Sequence, residues 1–263
     1  MYKLIASDLD GTLLNPQHRI SEATREVVER CREQGDKFVI ATGRHYLDVK
    51  EIAKNFSFPM YLITSNGAQA HNKDGEILYS SNLDQAQVSQ LLELSKPFKS
   101  HRNLYTDDAW FVEEVDSRLE TFHTESGFAY QLTSFDTFEH SNVLKLFFVG
   151  DHDELMNIEA AAKAVFGESL NIAFSLPHCL EVMNVSANKG IALSKVVESK
   201  GLSLQDCIAF GDGFNDKEML EVAGKGIVME NAHYKLKEAL PYLERTKSNT
   251  EDGVAWYLNQ HQF

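Results

Sequence analysis

The sequence predicts an α/β fold: a doubly wound, mostly parallel sheet with a Rossmann-like core, interrupted by an inserted α+β cap domain. In the first third, short solid-apolar runs alternate with amphipathic stretches in a βαβαβ rhythm. The same rhythm returns in the last third. Between them the texture changes to strands with turn signals and interleaved helices, which suits a separate layer packing.

The run Leu4-Ile5-Ala6 is short and wholly apolar, as a parallel strand covered on both faces must be. Residues 21–34 read as a helix with Ser21 as N-cap. Ala23, Val27, Val28 and Cys31 form its buried stripe, and Gly35 takes the left-handed position past its end. Residues 38–41 and 61–64 are further strands, with a helix over 46–55 between them. Asp74-Gly75 marks a hairpin turn. Residues 105–115, 143–149 and 170–184 read as strands and 153–166 as a helix. The core rhythm resumes with a helix over 188–200, a strand over 207–210, a helix over 216–223, a strand over 226–229 and further helical stretches. A chain of 263 residues exceeds the usual span of one hydrophobic core. The division expected is a catalytic core of residues 1–82 and 186–263 with a cap of residues 83–185.

Net charge is −14, from 25 basic and 39 acidic side chains. Long-range attraction to nucleic acid or to an anionic membrane surface is disfavoured, so a phosphate ligand must find local positive charge. Cys31, Cys179 and Cys207 are far apart and form no CxxC pair, which points away from a disulfide framework or a zinc site and fits a reducing cytosol. Asp8 arrives too soon for a signal-peptide apolar region, and no apolar run approaches a membrane span. A cytoplasmic protein acting on a small phosphorylated metabolite is expected, with no nucleic-acid or membrane partner; nothing in the sequence speaks to its oligomeric state.

Four short segments fall where core strands should end, the edge at which open α/β sheets bind ligands. Asp8-Leu9-Asp10-Gly11-Thr12 places two carboxylates one residue apart, and anions held together call for a hard cation such as Mg²⁺. Ala41-Thr42-Gly43-Arg44 offers a hydroxyl and free backbone N–H groups to phosphate oxygens. Lys189-Gly190 supplies a point charge, and Gly211-Asp212-Gly213-Phe214-Asn215-Asp216 turns sharply with Asp212 facing the cation. Each segment alone is common in solvated turns; their shared edge gives them chemical meaning. Arg44 either touches substrate or pairs with an acid beside it. Glu181 either faces substrate or pairs with a lysine across the domain junction. His45 reads as a surface or satisfied core position, and Tyr105, Trp110 and His178 are possible cap contacts.

With these four motifs, and Ser65-Asn66-Gly67-Ala68 as a branch signature, the chain resembles the haloacid dehalogenase-like phosphohydrolases, specifically the Cof-like branch with its large inserted cap. The resemblance implies a Mg²⁺-dependent phosphatase in which Asp8 is the nucleophile, forming an aspartyl-phosphate, and Asp10 is the general acid and base. It implies that Asp8, the Asp10 carbonyl and Asp212 hold Mg²⁺, and that the Leu9 N–H, Thr42, the Gly43 N–H, Lys189 and Asn215 surround the phosphoryl oxygens. Asp216 then orients Lys189 or a metal-bound water. Thr64-Ser65-Asn66-Gly67-Ala68, Cys179-Leu180-Glu181-Val182-Met183 and Asp206-Cys207-Ile208-Ala209-Phe210-Gly211-Asp212-Gly213 are similar to bacterial pyridoxal phosphate phosphatases of this branch, which implies pyridoxal 5′-phosphate as favoured substrate with sugar phosphates also accepted. A phosphomutase and a non-enzymatic phosphoryl-receiver module are the competing readings.

Overall fold

The computed structural model describes residues 2–262. The chain divides into two compact units: residues up to Arg44, Val49–Tyr79 and Asn188 onward form the first, and His45–Asp48 with Ser80–Ala187 the second. The grouping of residues 45–48 with the second unit is not foreshadowed in the sequence.

The first unit opens with β1 (Leu4–Ser7), buried throughout, then α1 (Glu22–Glu33) and β2 (Lys37–Ala41). After α2 (Tyr46–Ala53) come β3 (Tyr61–Thr64), β4 (Gln69–His71) and β5 (Ile77–Ser80). Ser21 caps α1 by accepting from the Thr24 N–H at 3.0 Å, and Gly35 follows at φ +95°. The buried stripe is Thr24, Val27, Val28 and Cys31; Ala23 is exposed. Counting i, i+3, i+4, i+7 from 24 gives the observed face, and the Thr24 hydroxyl reaches Asp252 at 3.4 Å, so its burial leaves no orphan donor. The Asp74-Gly75 turn joins the neighbouring strands β4 and β5, with Gly75 at φ +84°.

The second unit contains α3 (Gln85–Ser95), β6 (Ser100–Tyr105), β7 (Trp110–Val112), β8 (Gln131–Leu132), β9 (Lys145–Gly150), α4 (His152–Phe166), β10 (Leu170–Leu176) and β11 (Cys179–Asn184). Its six strands run in the order β10-β11-β9-β6-β7-β8. Successive side chains on a strand face opposite ways, so Leu146 and Phe148 join one core with Val88, Leu91, Leu155 and Ile158 of the two helices. Phe147 and Val149 instead meet Tyr105, Trp110 and Val112 in a second cluster. Residues 170–184 form two strands, β10 and β11, joined by a turn at Pro177 and His178, and two more differences from expectation stand beside this one. Residues 105–115 are not one strand: Thr106 accepts from the Ala109 N–H at 3.1 Å through its hydroxyl and turns the chain between β6 and β7. Helix α3 stands where the apolar pattern predicts no particular element, although Gln87 accepts from the Asp84 N–H at 3.1 Å, half of a capping box legible as Asp84-x-x-Gln87.

The chain re-enters the first unit through α5 (Lys189–Glu198), β12 (Cys207–Gly211), α6 (Lys217–Val222), β13 (Lys225–Met229), α7 (Tyr234–Ala239), β14 (Glu244–Thr246) and α8 (Gly253–His261). Strand β14 stands where only helices were expected, because Glu244-Arg245-Thr246 at a sheet edge needs no apolar run. The sheet order is β14-β13-β12-β1-β2-β3-β4-β5, parallel from β14 to β3 and antiparallel between β3 and β4. From β1 the chain winds out through β2 and β3; later it returns to the other side of β1 and winds out through β12 to β14. The gap between β1 and β12 is therefore the topological switch point, where an open sheet leaves a crevice at its carboxyl edge. Among the described residues, no helix is long and apolar enough to cross a membrane.

Candidate active site

Register sets the first contact of the site. Ser7 lies opposite Phe210, so the next residues, Asp8 and Gly211, leave the sheet side by side, with the Asp8 N–H donating to the Phe210 carbonyl at 2.9 Å. Asp212 follows at once, and its Oδ1 accepts from the Thr12 hydroxyl at 2.7 Å. Gly11 between them has φ +81°, and a Cβ there would lie 2.4 Å from Asp212 Oδ2. Only glycine lets the acid close on the Asp10-Gly11 backbone.

Lys189 is the first residue of α5, whose N-cap Asn188 accepts from the Ile191 N–H at 2.8 Å. Its ammonium is fully buried and donates to Asp8 Oδ1 and Asp216 Oδ1, each at 2.6 Å. Asp216 Oδ2 accepts from the Asp212 and Gly213 N–H groups at 3.0 and 2.8 Å. Asp216 thus spends both oxygens on locating Lys189 and the turn that carries Asp212. Against this arrangement also leans the turn after β3: a Cβ on Gly67 would lie 2.2 Å from the Asn188 carbonyl oxygen.

One ligand atom each from Asp8, Asp212 and Asp216 falls within 4.8 Å of the others. Burial pushes the Asp8 carboxyl well above the ordinary carboxylate range, and the Asp216 charge adds to this while Lys189 opposes it. Asp212 is pushed up to about 6, by burial first, with the Thr12 hydrogen bond opposing and Asp216 adding. Burial works against the Lys189 charge, but Asp216 and Asp8 outweigh it and hold the ammonium above its usual range. Three crowded carboxylates and one lysine leave an excess of negative charge that a hard, oxygen-seeking divalent cation would relieve, so the donor set fits Mg²⁺. Asp216 spends its oxygens on Lys189 and two backbone N–H groups, which leaves Asp8 and Asp212 as the carboxylates that could hold such an ion.

A second group of residues lies on the β2 and β3 exits. Thr42 donates its N–H to the Ile63 carbonyl at 2.8 Å and accepts from the Asn66 N–H at 3.0 Å. Its hydroxyl accepts from the Arg44 N–H at 3.2 Å. Asn66 Oδ1 accepts from Asn215 Nδ2 at 2.9 Å and would lie 2.8 Å from a Cβ on Gly43. Ser65, Asn66 and Gly67 all have positive φ, at 48°, 56° and 89°, a left-handed run that costs strain in the first two residues. Arg44 reaches Asp10 with both arms, Nε to Oδ2 at 2.7 Å and Nη2 to Oδ1 at 2.6 Å. Of the two readings of Arg44, pairing with a neighbouring acid is the one observed.

Asp8, Lys189, Asp212 and Asp216 are thus gathered in one cluster, and Asp10, Thr42, Gly43 and Asn215 are joined to one another through Arg44 and Asn66. Leu9 is buried behind Asp8. The sequence marks Asn66 only as part of a branch signature; its left-handed run beside Gly67 is the local signal of a functional turn. Glu181 is corrected: its partner, Lys145 Nζ at 2.9 Å, comes from the adjacent strand of the same sheet in the second unit, not from across a junction. Trp110 is buried and donates Nε1–H to Asn103 Oδ1 at 3.1 Å, a core role, and His178 is an exposed turn residue. His45 is buried and satisfied: Nδ1 accepts from the Leu47 N–H at 3.1 Å and Nε2 lies 2.8 Å from the Thr106 carbonyl.

Carboxylates at the switch point of a parallel sheet, cross-braced by a buried lysine, belong to a recognisable class of hydrolases. The haloacid dehalogenase-like hydrolase family matches residues 5–258, and this chain belongs to that family. It is 39% identical to an HMP-PP phosphatase of Yersinia pestis over 259 residues, covering 98% of this chain and 95% of that protein. A haloacid dehalogenase-like hydrolase from Bacteroides thetaiotaomicron superposes with a TM-score of 0.89 at 31% identity over 99% of each chain. The fold is also shared with a solved subclass IIB sugar phosphatase of the superfamily, at TM-score 0.83 and 22% identity over 99% of each chain.

Proposed function

We propose that this protein is a Mg²⁺-dependent phosphatase of small phosphorylated metabolites that works through an aspartyl-phosphate on Asp8. The observation that carries the reading is the double bridge from Lys189 to Asp8 and Asp216 beside Asp212, which fixes a buried carboxylate at the sheet's ligand edge. Bound Mg²⁺ would offset the repulsion between an anionic nucleophile and an anionic phosphate.

Asp8 attacks phosphorus, the ester oxygen leaves with a proton from Asp10, and Asp10 then takes the proton of the water that opens the acyl phosphate. Lys189, held by Asp216, faces the transferred oxygens as charge spreads over them, alongside the Thr42 hydroxyl, the Leu9 and Gly43 N–H groups and Asn215. The requirement for a group that serves both the departing alcohol and the incoming water favours a hydrolase over a receiver module and over a phosphomutase, which must exclude that water.

Pyridoxal 5′-phosphate is the substrate favoured by the sequence resemblance, with sugar phosphates also accepted. The name of the Yersinia pestis relative favours HMP-PP as a second reading. Purified protein with Mg²⁺ should release inorganic phosphate from members of a panel containing pyridoxal 5′-phosphate, HMP-PP and hexose phosphates, and Asp8→Asn should abolish release while the circular dichroism spectrum stays unchanged. Turnover retained by Asp8→Asn would remove the nucleophile, and substrate loss without matching free phosphate would indicate a mutase.

A further inference from the structure

Asp10 has to hand a proton to a leaving oxygen, yet both of its carboxylate oxygens are turned to Arg44. A bidentate guanidinium contact is matched to a planar anion, and phosphate offers the same pair of acceptors with more charge. The pair is not sealed in: the Asp10 side chain is 41% exposed and that of Arg44 15%, so an incoming anion can compete for the guanidinium. Once Arg44 lets go, His18 Nδ1, 3.7 Å from Asp10 Oδ1, still neighbours the carboxylate. Arg44 itself is rooted, since its N–H donates to the Thr42 hydroxyl and its carbonyl accepts from the Ser65 N–H at 2.8 Å. The side chain can change partner while the backbone stays in place.

We propose that Arg44 is a specificity-determining residue that exchanges Asp10 for a second anionic group next to the scissile phosphoryl, so that the site favours diphosphate esters over monophosphate esters of the same alcohol. The inference rests on the phosphatase reading above. With a diphosphate ester, Asp8 forms a bond to the terminal phosphorus as the bond from that phosphorus to the bridging oxygen breaks. The electron pair stays on the bridging oxygen, which departs as a monophosphate and needs no proton, because Arg44 holds its charge. Asp10, released by the same exchange, takes a proton from water as the water oxygen bonds to phosphorus and the bond to Asp8 breaks, leaving inorganic phosphate. With a monophosphate ester the only anion is the phosphoryl group being transferred, no second one competes with Asp10 for Arg44, and Asp10 must break its own ion pair to act.

Phenyl phosphate and phenyl diphosphate are the probes. Phosphate release by the wild type with Mg²⁺ should give a kcat/KM ratio favouring the diphosphate by at least about tenfold. Arg44→Gln should bring that ratio close to one, chiefly through loss on the diphosphate, and Arg44→Lys, which keeps the charge and loses the fork, should fall between. A wild-type ratio near one, or a ratio unchanged in both variants, overturns the proposal. If the wild type releases phosphate from neither probe nor from the metabolite panel, the phosphatase reading fails and this inference with it. Release from both probes without discrimination leaves that reading standing and removes only the role of Arg44.

Discussion

Lys189 balances the charges of the first unit's interior. Its ammonium is shared by two buried carboxylates, so removing it leaves both without their cation. Lys189→Met should destabilise the protein by about 3–5 kcal/mol, read from urea unfolding, and Lys189→Met with Asp216→Asn should recover part of that loss. An unchanged unfolding midpoint in the single variant would show that the bridge carries no such weight. In the second unit, His45 is held neutral: burial, with His123 and Lys145 nearby, brings it down to about 4 despite the Thr106 carbonyl and Asp48. Its geometry agrees, since Nδ1 accepts from the Leu47 N–H and can do so only unprotonated. The unfolded histidine titrates near 6.5, so the contribution is fully present above about pH 6.5 and is lost as pH falls towards 4, amounting to about 3 kcal/mol. His45→Gln should flatten the stability profile across that window; a slope as steep as that of the wild type would assign the loss to other groups. Asp8, Asp10 and Asp212 were legible because they follow short apolar runs, and Lys189 because it opens a helix where the core rhythm resumes. Asn66 and the partner of Arg44 were not, because both depend on which turns meet in space.

The elements that build the site are turns rather than helices or strands. Residues 9–13 fold back at Gly11, whose φ of +81° and contact with Asp212 are both closed to a side chain. Gly11→Ala should therefore cost about 1–2 kcal/mol of stability from backbone strain alone and weaken Mg²⁺ binding by more than about tenfold, measured by calorimetry. Wild-type affinity in that variant would mean that Asp212 and the Asp10 carbonyl do not share the ion. Much of the core was legible for a plain reason: β1, β2, β3, β12 and β13 lie inside the sheet, so each is an apolar run. Edge strand β14 carries Glu244 and Arg245 and sends no such signal. The 105–115 segment misled because Tyr105 and Trp110 are both apolar across a turn made by Thr106, a residue as much at home in a strand. Helix α3 was missed although its capping pair is in the sequence.

At the scale of the molecule, the site belongs to the topology: one acid follows β1, another follows the parallel β12, and the direction in which the chain winds across the sheet reverses between them. A ligand that joins them should stabilise the whole first unit. Thermal unfolding should shift upward with Mg²⁺ and return with EDTA, by the equivalent of about 2.7 kcal/mol at a hundredfold excess over the dissociation constant. No shift at millimolar Mg²⁺ would argue against an ion at the switch point. The contacts that assemble the centre span the chain, Thr12 with Asp212 across 200 positions and Asp8 with Lys189 across 181. Lys189, Asp212 and Asp216 all follow the second unit in chain order, so a ribosome delivers them long after Asp8, Asp10 and Thr42. A chain cut before residue 186 therefore carries Asp8 without the lysine and without the two acids that gather around it in the folded protein.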